Sequence, residues 1–133
     1  MSEYYRVYAE VDLSAIVENV KNLKKLTNDG TKAMAVVKAN AYGHGDVAVS
    51  KAVYNEVDAY AVATLQEAIN LRENGIDKPI LILGYVVPEE YDELIDNNIA
   101  ATVFDYTTAK ELSDEAKRIG KTALCHIKID TGM

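Results

Sequence analysis

Lys38 closes the apolar run 33–37, and the next seven residues hold Asn40, Tyr42, His44 and the glycines Gly43 and Gly45, in the string AVVKANAYGHG (35–45). An amine in this position has two readings. In one it is the polar end of a strand beside a tight turn. In the other, flanked by Val36 and Val37, it is partly desolvated, and desolvation favours the neutral lysine that attacks a carbonyl such as a cofactor aldehyde. The loop suits a phosphate-bearing ligand: Gly43 and Gly45 admit close backbone approach, Tyr42 adds a phenolic donor, and a helix from about Asp46 would present free N–H groups. Spacing alone leaves both readings open. No Gly-x-Gly-x-x-Gly or Walker-type loop is present, which weakens nucleotide-binding alternatives.

A second candidate is HIKIDTGM (126–133). On a strand, Lys128 and Asp130 share one side near its C-terminal end, and His126 shares that face. A surface ion pair is the plain alternative. The chain has two histidines, His44 and His126, and one cysteine, Cys125, so neither a disulfide nor a metal site is supported. In TALCHIKI, Cys125 reads as a buried, inert thiol.

The elements that must position these residues follow from hydrophobic period. Residues 4–11 alternate polar and apolar, as in a half-exposed strand. Asp12 or Ser14 then caps a helix bearing Ile16, Val20, Leu23 and Leu26 at helical spacing, which Asn28, Asp29 and Gly30 end. Five short apolar runs follow, at 33–38, 59–64, 79–84, 99–104 and 122–130, separated by single amphipathic segments. Thr64 and Glu67 form a capping box opening one of these, Pro88 opens another and Asp105 caps a third. Runs apolar on both faces between single helices indicate βαβ units and a buried parallel sheet.

Two α/β architectures accommodate five such strands. One is a doubly wound domain of flavodoxin type; the other is the N-terminal part of a (β/α)8 TIM-type barrel. The helix before the first core strand and the lack of one after the fifth favour the barrel, with the chain read as cut short. Both architectures put ligands at the C-terminal ends of the strands, where Lys38 falls.

Composition bounds the partners. Half the residues (49%) are hydrophobic and 26% charged, which suits a globular chain, and 133 residues suit one core. A net charge of −7 argues against nucleic acid or an anionic membrane as partner. No run approaches the length of a membrane span and the N-terminus lacks a signal-peptide core, so a cytoplasmic location is expected.

AVVKANAYGHG resembles the pyridoxal-phosphate attachment motif of alanine racemases. The opening AEVDLSAI and the closing HIKIDTGM resemble two further segments of that family, so the likeness runs from about residue 8 to the end. It implies a racemase of L- and D-alanine supplying peptidoglycan precursors, homodimeric at full length, of which this chain is the N-terminal third and inactive alone. It implies that Lys38 holds pyridoxal 5'-phosphate and serves as the base on the D-alanine side, and that Tyr42 hydrogen-bonds the phosphate. Val36 and Leu83 would line the cofactor, and Lys128 matches a lysine that many members carbamylate, turning a cation into an anion. By the same likeness, residues 1–11 belong to a strand of a second, C-terminal β domain, and 12–133 form an incomplete barrel. The second base, on a partner subunit, and an arginine facing the pyridine nitrogen match no residue here. A serine or broad-specificity racemase of the same family is the nearer alternative, and a flavodoxin-like binding domain the more distant one.

Overall fold

The computed structural model describes residues 7–132. Helix α1 (Leu13–Lys24) opens at Asp12, whose carboxylate accepts the N–H groups of Ser14 and Ala15. The strand expected over residues 4–11 falls partly outside the described residues. Its described part, with Val7 and Tyr8 largely exposed, pairs with no strand.

Five strands follow: β1 (Met34–Val36), β2 (Ala59–Val62), β3 (Ile80–Ile82), β4 (Ala100–Val103) and β5 (Leu124–Ile127). Between them lie α2 (Lys38–Gly43), α3 (Asp46–Ala52), α4 (Leu65–Glu73), α5 (Tyr91–Asp96) and α6 (Tyr106–Arg118). Pro88 begins a 3₁₀ turn, Pro88–Glu90, that feeds α5, and Asp105 caps α6 through the Thr108 N–H at 2.7 Å. Gly75 and Gly120, both at positive φ, end α4 and α6 as expected of helix-stop glycines.

All four pairings are parallel and the strand order is β1-β2-β3-β4-β5. This order separates the two architectures. A flavodoxin-type sheet runs 2-1-3-4-5 with helices on both faces, whereas here each strand joins beside its predecessor. One large core contains Val37, Tyr60, Val62, Ile80, Ile82, Ala101 and Val103 together with Leu65, Leu71, Leu94 and Leu112 of the helices. Ala61, Leu81 and Ala100 form a separate small cluster on the other face. Helices on one face and sequential strands are the construction of a (β/α)8 barrel, of which these are five units.

The N-terminal ends of the strands are fastened by long side chains. Arg72 of α4 donates to the carbonyls of Ile76, Lys78, Asn97 and Asn98, at 2.6–3.1 Å. Lys78 donates to the carbonyls of Tyr54 and Val57, with its ammonium 4.3 Å from the centre of the Tyr54 ring. Tyr54 in turn donates its hydroxyl proton to Asp77. The chemistry-bearing residues collect at the opposite end.

Candidate active site

The chain leaves β1 at Val37, whose N–H donates to Ala61 O at 2.9 Å and whose side chain is buried in the helix-side core. Lys38 follows, half-buried, at the C-terminal end of the strand. None of the ion pairs among the described residues involves it. The segment Lys38–Gly43 is helical but of reversed hand: Ala39, Asn40, Ala41 and Tyr42 have φ of 50–56° and ψ of 37–50°. For L-residues that conformation costs roughly 1–2 kcal/mol per residue, and a run of four is held only by outside support.

The supports are visible. Ala41 N–H donates to Val37 O and Gly45 N–H to Asn40 O, both at 2.9 Å. Asn40 Oδ1 accepts the Asp46 N–H at 3.0 Å, and His44 Nδ1 lies 3.0 Å from Ala41 O, so the His44 ring serves the turn. Glu67 reaches over from α4, with Oε1 accepting the Ala39 N–H and Oε2 the Ala63 N–H, each at 2.7 Å. Asn70, one turn further on, donates to Asp46 Oδ2 at 2.9 Å.

Two sequence expectations change here. Thr64 does cap α4, its hydroxyl accepting the Glu67 N–H at 3.3 Å, but the reciprocal half of the capping box is absent. Glu67 gives its carboxylate to Ala39 and Ala63 instead, because α4 starts beside the turn after β1. Two of the free N–H groups expected at the start of α3 are occupied: Asp46 N–H by Asn40, and Val47 N–H by Asp46 Oδ1 at 2.7 Å. The exposed Tyr42 offers a further donor near this loop.

The face away from the helices is the floor beside Lys38. Register aligns Val36, Ala61, Leu81, Ala100 and Leu124 in one row across all five strands. The next row in the same alternation includes Leu83, Thr102 and His126, with Thr102 paired to His126. Val36 and Leu83 keep 43% and 38% of their surface exposed, although both continue strands whose neighbours are buried. Both lie on this face, on β1 and just beyond β3, toward the same end of the sheet as the lysine. Thr102, which sequence reasoning passed over, is buried and donates its hydroxyl proton to Ile82 O at 2.6 Å.

Lys128 stands apart from this group. Its N–H extends the β5 ladder to Val103 O at 2.8 Å, four strands from Lys38, roughly 19 Å along the sheet. The strand ends at Ile127, so Lys128 and Asp130 do not share a strand face as expected. Asp130 turns back to accept the Gly132 N–H at 2.8 Å. Cys125 is exposed, contrary to the buried thiol read from TALCHIKI, because no described element covers the helix side of β5. Among the described residues, no group of three or more His, Cys, Asp or Glu side chains is arranged to hold a metal.

The residue types present fit the group implied by the resemblance. A half-buried amine without a counter-charge suits a carbonyl, Val36 and Leu83 suit one flank of an aromatic ring, and Tyr42 suits a phosphate oxygen. Sequence reasoning found these, but not Glu67 in its actual role. The signal was the Thr-x-x-Glu spacing itself, which marks Glu67 as first-turn but cannot say which N–H it meets.

A family model described as "Alanine racemase, N-terminal domain" matches residues 11–133. The alanine racemase of Methanococcus maripaludis is 48% identical over 128 residues, which are 96% of this chain and 34% of that protein. Alanine racemase 2 of Caldanaerobacter subterraneus subsp. tengcongensis is 50% identical over 125 residues, 93% of this chain and 32% of that one. Among solved structures, alanine racemase from Bacillus anthracis with bound L-Ala-P matches with a TM-score of 0.84 at 40% identity, over 99% of this chain and 34% of that one. The chain thus spans about a third of the length of the relatives it matches.

Proposed function

The chain belongs to the alanine racemase family through that family's N-terminal domain, and on this premise we propose that it carries the cofactor-anchoring part of a pyridoxal-phosphate-dependent racemase of L- and D-alanine. The observation that carries the reading is Lys38 at the C-terminal end of β1, followed by a left-handed turn that L-residues adopt only under constraint. Ligands of barrel folds bind at this end of the strands.

Pyridoxal phosphate supplies, when bound, the electron sink for negative charge at the substrate Cα. In this reading Lys38 anchors it, and the lysine amine takes and returns the Cα proton on the D-alanine side. Tyr42 donates its phenolic proton to a phosphate oxygen. Val36 and Leu83 flank the ring and keep water from one side of it. Lys128, carbamylated, would place an anion across the sheet to orient a positive group supplied from beyond residue 133.

The rest of the reading concerns the whole protein. Residues 1–11 join a second β domain, residues 12–133 form part of the barrel, and the enzyme is a cytoplasmic homodimer with a second base from the partner subunit. Its product feeds peptidoglycan precursors, and the segment by itself is inactive.

The experiment is borohydride reduction of the full-length protein followed by peptide mapping, with racemisation of alanine and serine measured alongside. The expected results are cofactor fixed on Lys38, alanine preferred over serine, and loss of both absorbance and activity in Lys38→Ala. A Lys38→Ala variant that kept cofactor absorbance and racemisation would end the proposal.

A further inference from the structure

We infer that Glu67 is the positioning residue of Lys38, acting through the peptide that follows it; the inference rests on the function proposed above. Val37 is fixed on both sides, by its N–H to Ala61 O and by its carbonyl to Ala41 N–H. The joint left between that anchor and the left-handed turn is the Lys38–Ala39 peptide. Its N–H is the one that Glu67 Oε1 takes at 2.7 Å, across 28 residues of sequence. Locking this peptide plane sets the backbone of Lys38 and, with it, the direction in which the side chain leaves.

The carboxylate is built for the task. Glu67 sits in the first turn of α4, where the helix dipole favours negative charge. Neither oxygen serves α4 itself: Oε1 holds Ala39 and Oε2 holds Ala63 at the end of β2. Charge-assisted bonds from backbone N–H to a carboxylate are stronger than neutral ones, and using both oxygens ties β1 and β2 ends to one rigid helix. Glutamine could satisfy only one of the two donors, because its second terminal atom is an NH2 group facing an N–H. Aspartate, one methylene shorter, keeps the charge but falls short of Ala39.

The test compares full-length wild type, Glu67→Gln, and Gln66→Ala, an exposed neighbour in the same helical turn. Glu67→Gln is expected to speed amide exchange over residues 38–43 while exchange in β3 and β4 stays as in wild type. It is expected to lower kcat between about tenfold and a hundredfold with KM for alanine within about twofold, as a misplaced catalytic group does. Gln66→Ala should change neither. A residue of merely structural weight would instead loosen exchange throughout the sheet and lower the melting temperature. Local exchange and kcat both equal to wild type, or loosening spread over the sheet, would overturn the inference. Where Glu67→Gln does not fold, Glu67→Asp gives the same two readings. Wild type without borohydride-fixed cofactor on Lys38 would defeat the underlying function, and that is known before any variant is made.

Discussion

Gly84 approaches Ala63 so closely that a Cβ on Gly84 would stand 2.4 Å from the Ala63 carbonyl oxygen. The obstacle is backbone, and the same Ala63 is tied through its N–H to Glu67. It cannot swing aside as a side chain would. Gly84→Ala is therefore expected to cost roughly 1–3 kcal/mol, the usual scale of forced overpacking. Urea unfolding measures it, and an unchanged midpoint would mean that the β2 and β3 ends are freer than this contact implies.

Arg72 marks the opposite end of the strands. Burial lowers its pKa, opposed by the nearby Asp77 carboxylate, yet it remains a cation that satisfies four carbonyls. Lysine cannot reproduce that planar fork. Arg72→Lys should lose about 2–4 kcal/mol of stability, while reactivity of Lys38, at the far end of the sheet, stays at the wild-type level. Denaturant midpoints and lysine labelling check the two halves separately.

Tyr60 should dominate alkaline unfolding. Its side chain is fully buried and donates to Ser50 O at 2.6 Å, and burial, with a smaller contribution from Tyr54, pushes its pKa up to about 12. An unfolded tyrosine loses its proton near pH 10. Between those values the unfolded chain binds fewer protons, so stability is intact below about pH 10 and falls as pH rises towards 12, by about 2–3 kcal/mol in all. Tyr60→Phe removes this dependence, and urea midpoints measured at about pH 8 and about pH 11.5 should differ less in the variant than in wild type.

Cys125 should react with a thiol reagent in the folded 133-residue chain, at a rate near that of the unfolded chain, because it is exposed on the helix side of β5. In a longer chain that lays a helix over that side, the same thiol should be protected. Comparing labelling rates of the two tests the barrel arrangement directly.

Much of this was legible in the amino-acid sequence. The five strands and most helix starts and stops came from period and from residues such as Asp105, which opens α6, and Gly75 and Gly120, which end helices, all with local effects. The place of Lys38 at a strand end was legible because a strand end is a local event. The choice between two architectures was not, since strand order depends on which neighbours pair across the sheet. The reversed hand of residues 39–42 was equally hidden, as only Asn40 among them tolerates that conformation readily. Glu67 was seen but misassigned: spacing names the nearest N–H, and tertiary packing supplied two others. Cys125 was misread because its neighbours are apolar while the layer that would cover them is missing from the described residues.

The left-handed turn also constrains the order in which the molecule matures. Its partners on α4, Glu67 and Asn70, lie 28 and 24 residues downstream of the groups they bind. Local bonds such as Val37–Ala41 and Asn40–Gly45 hold part of the turn, but the Ala39 N–H finds its partner on α4. The loop after Lys38 can therefore take its final shape only after β2 and α4 have docked, although it precedes both along the chain. Such long-separation contacts are slow to close. On the function proposed above, the lysine becomes competent late, and capture of a carbonyl probe by Lys38 would time the completion of tertiary structure during refolding.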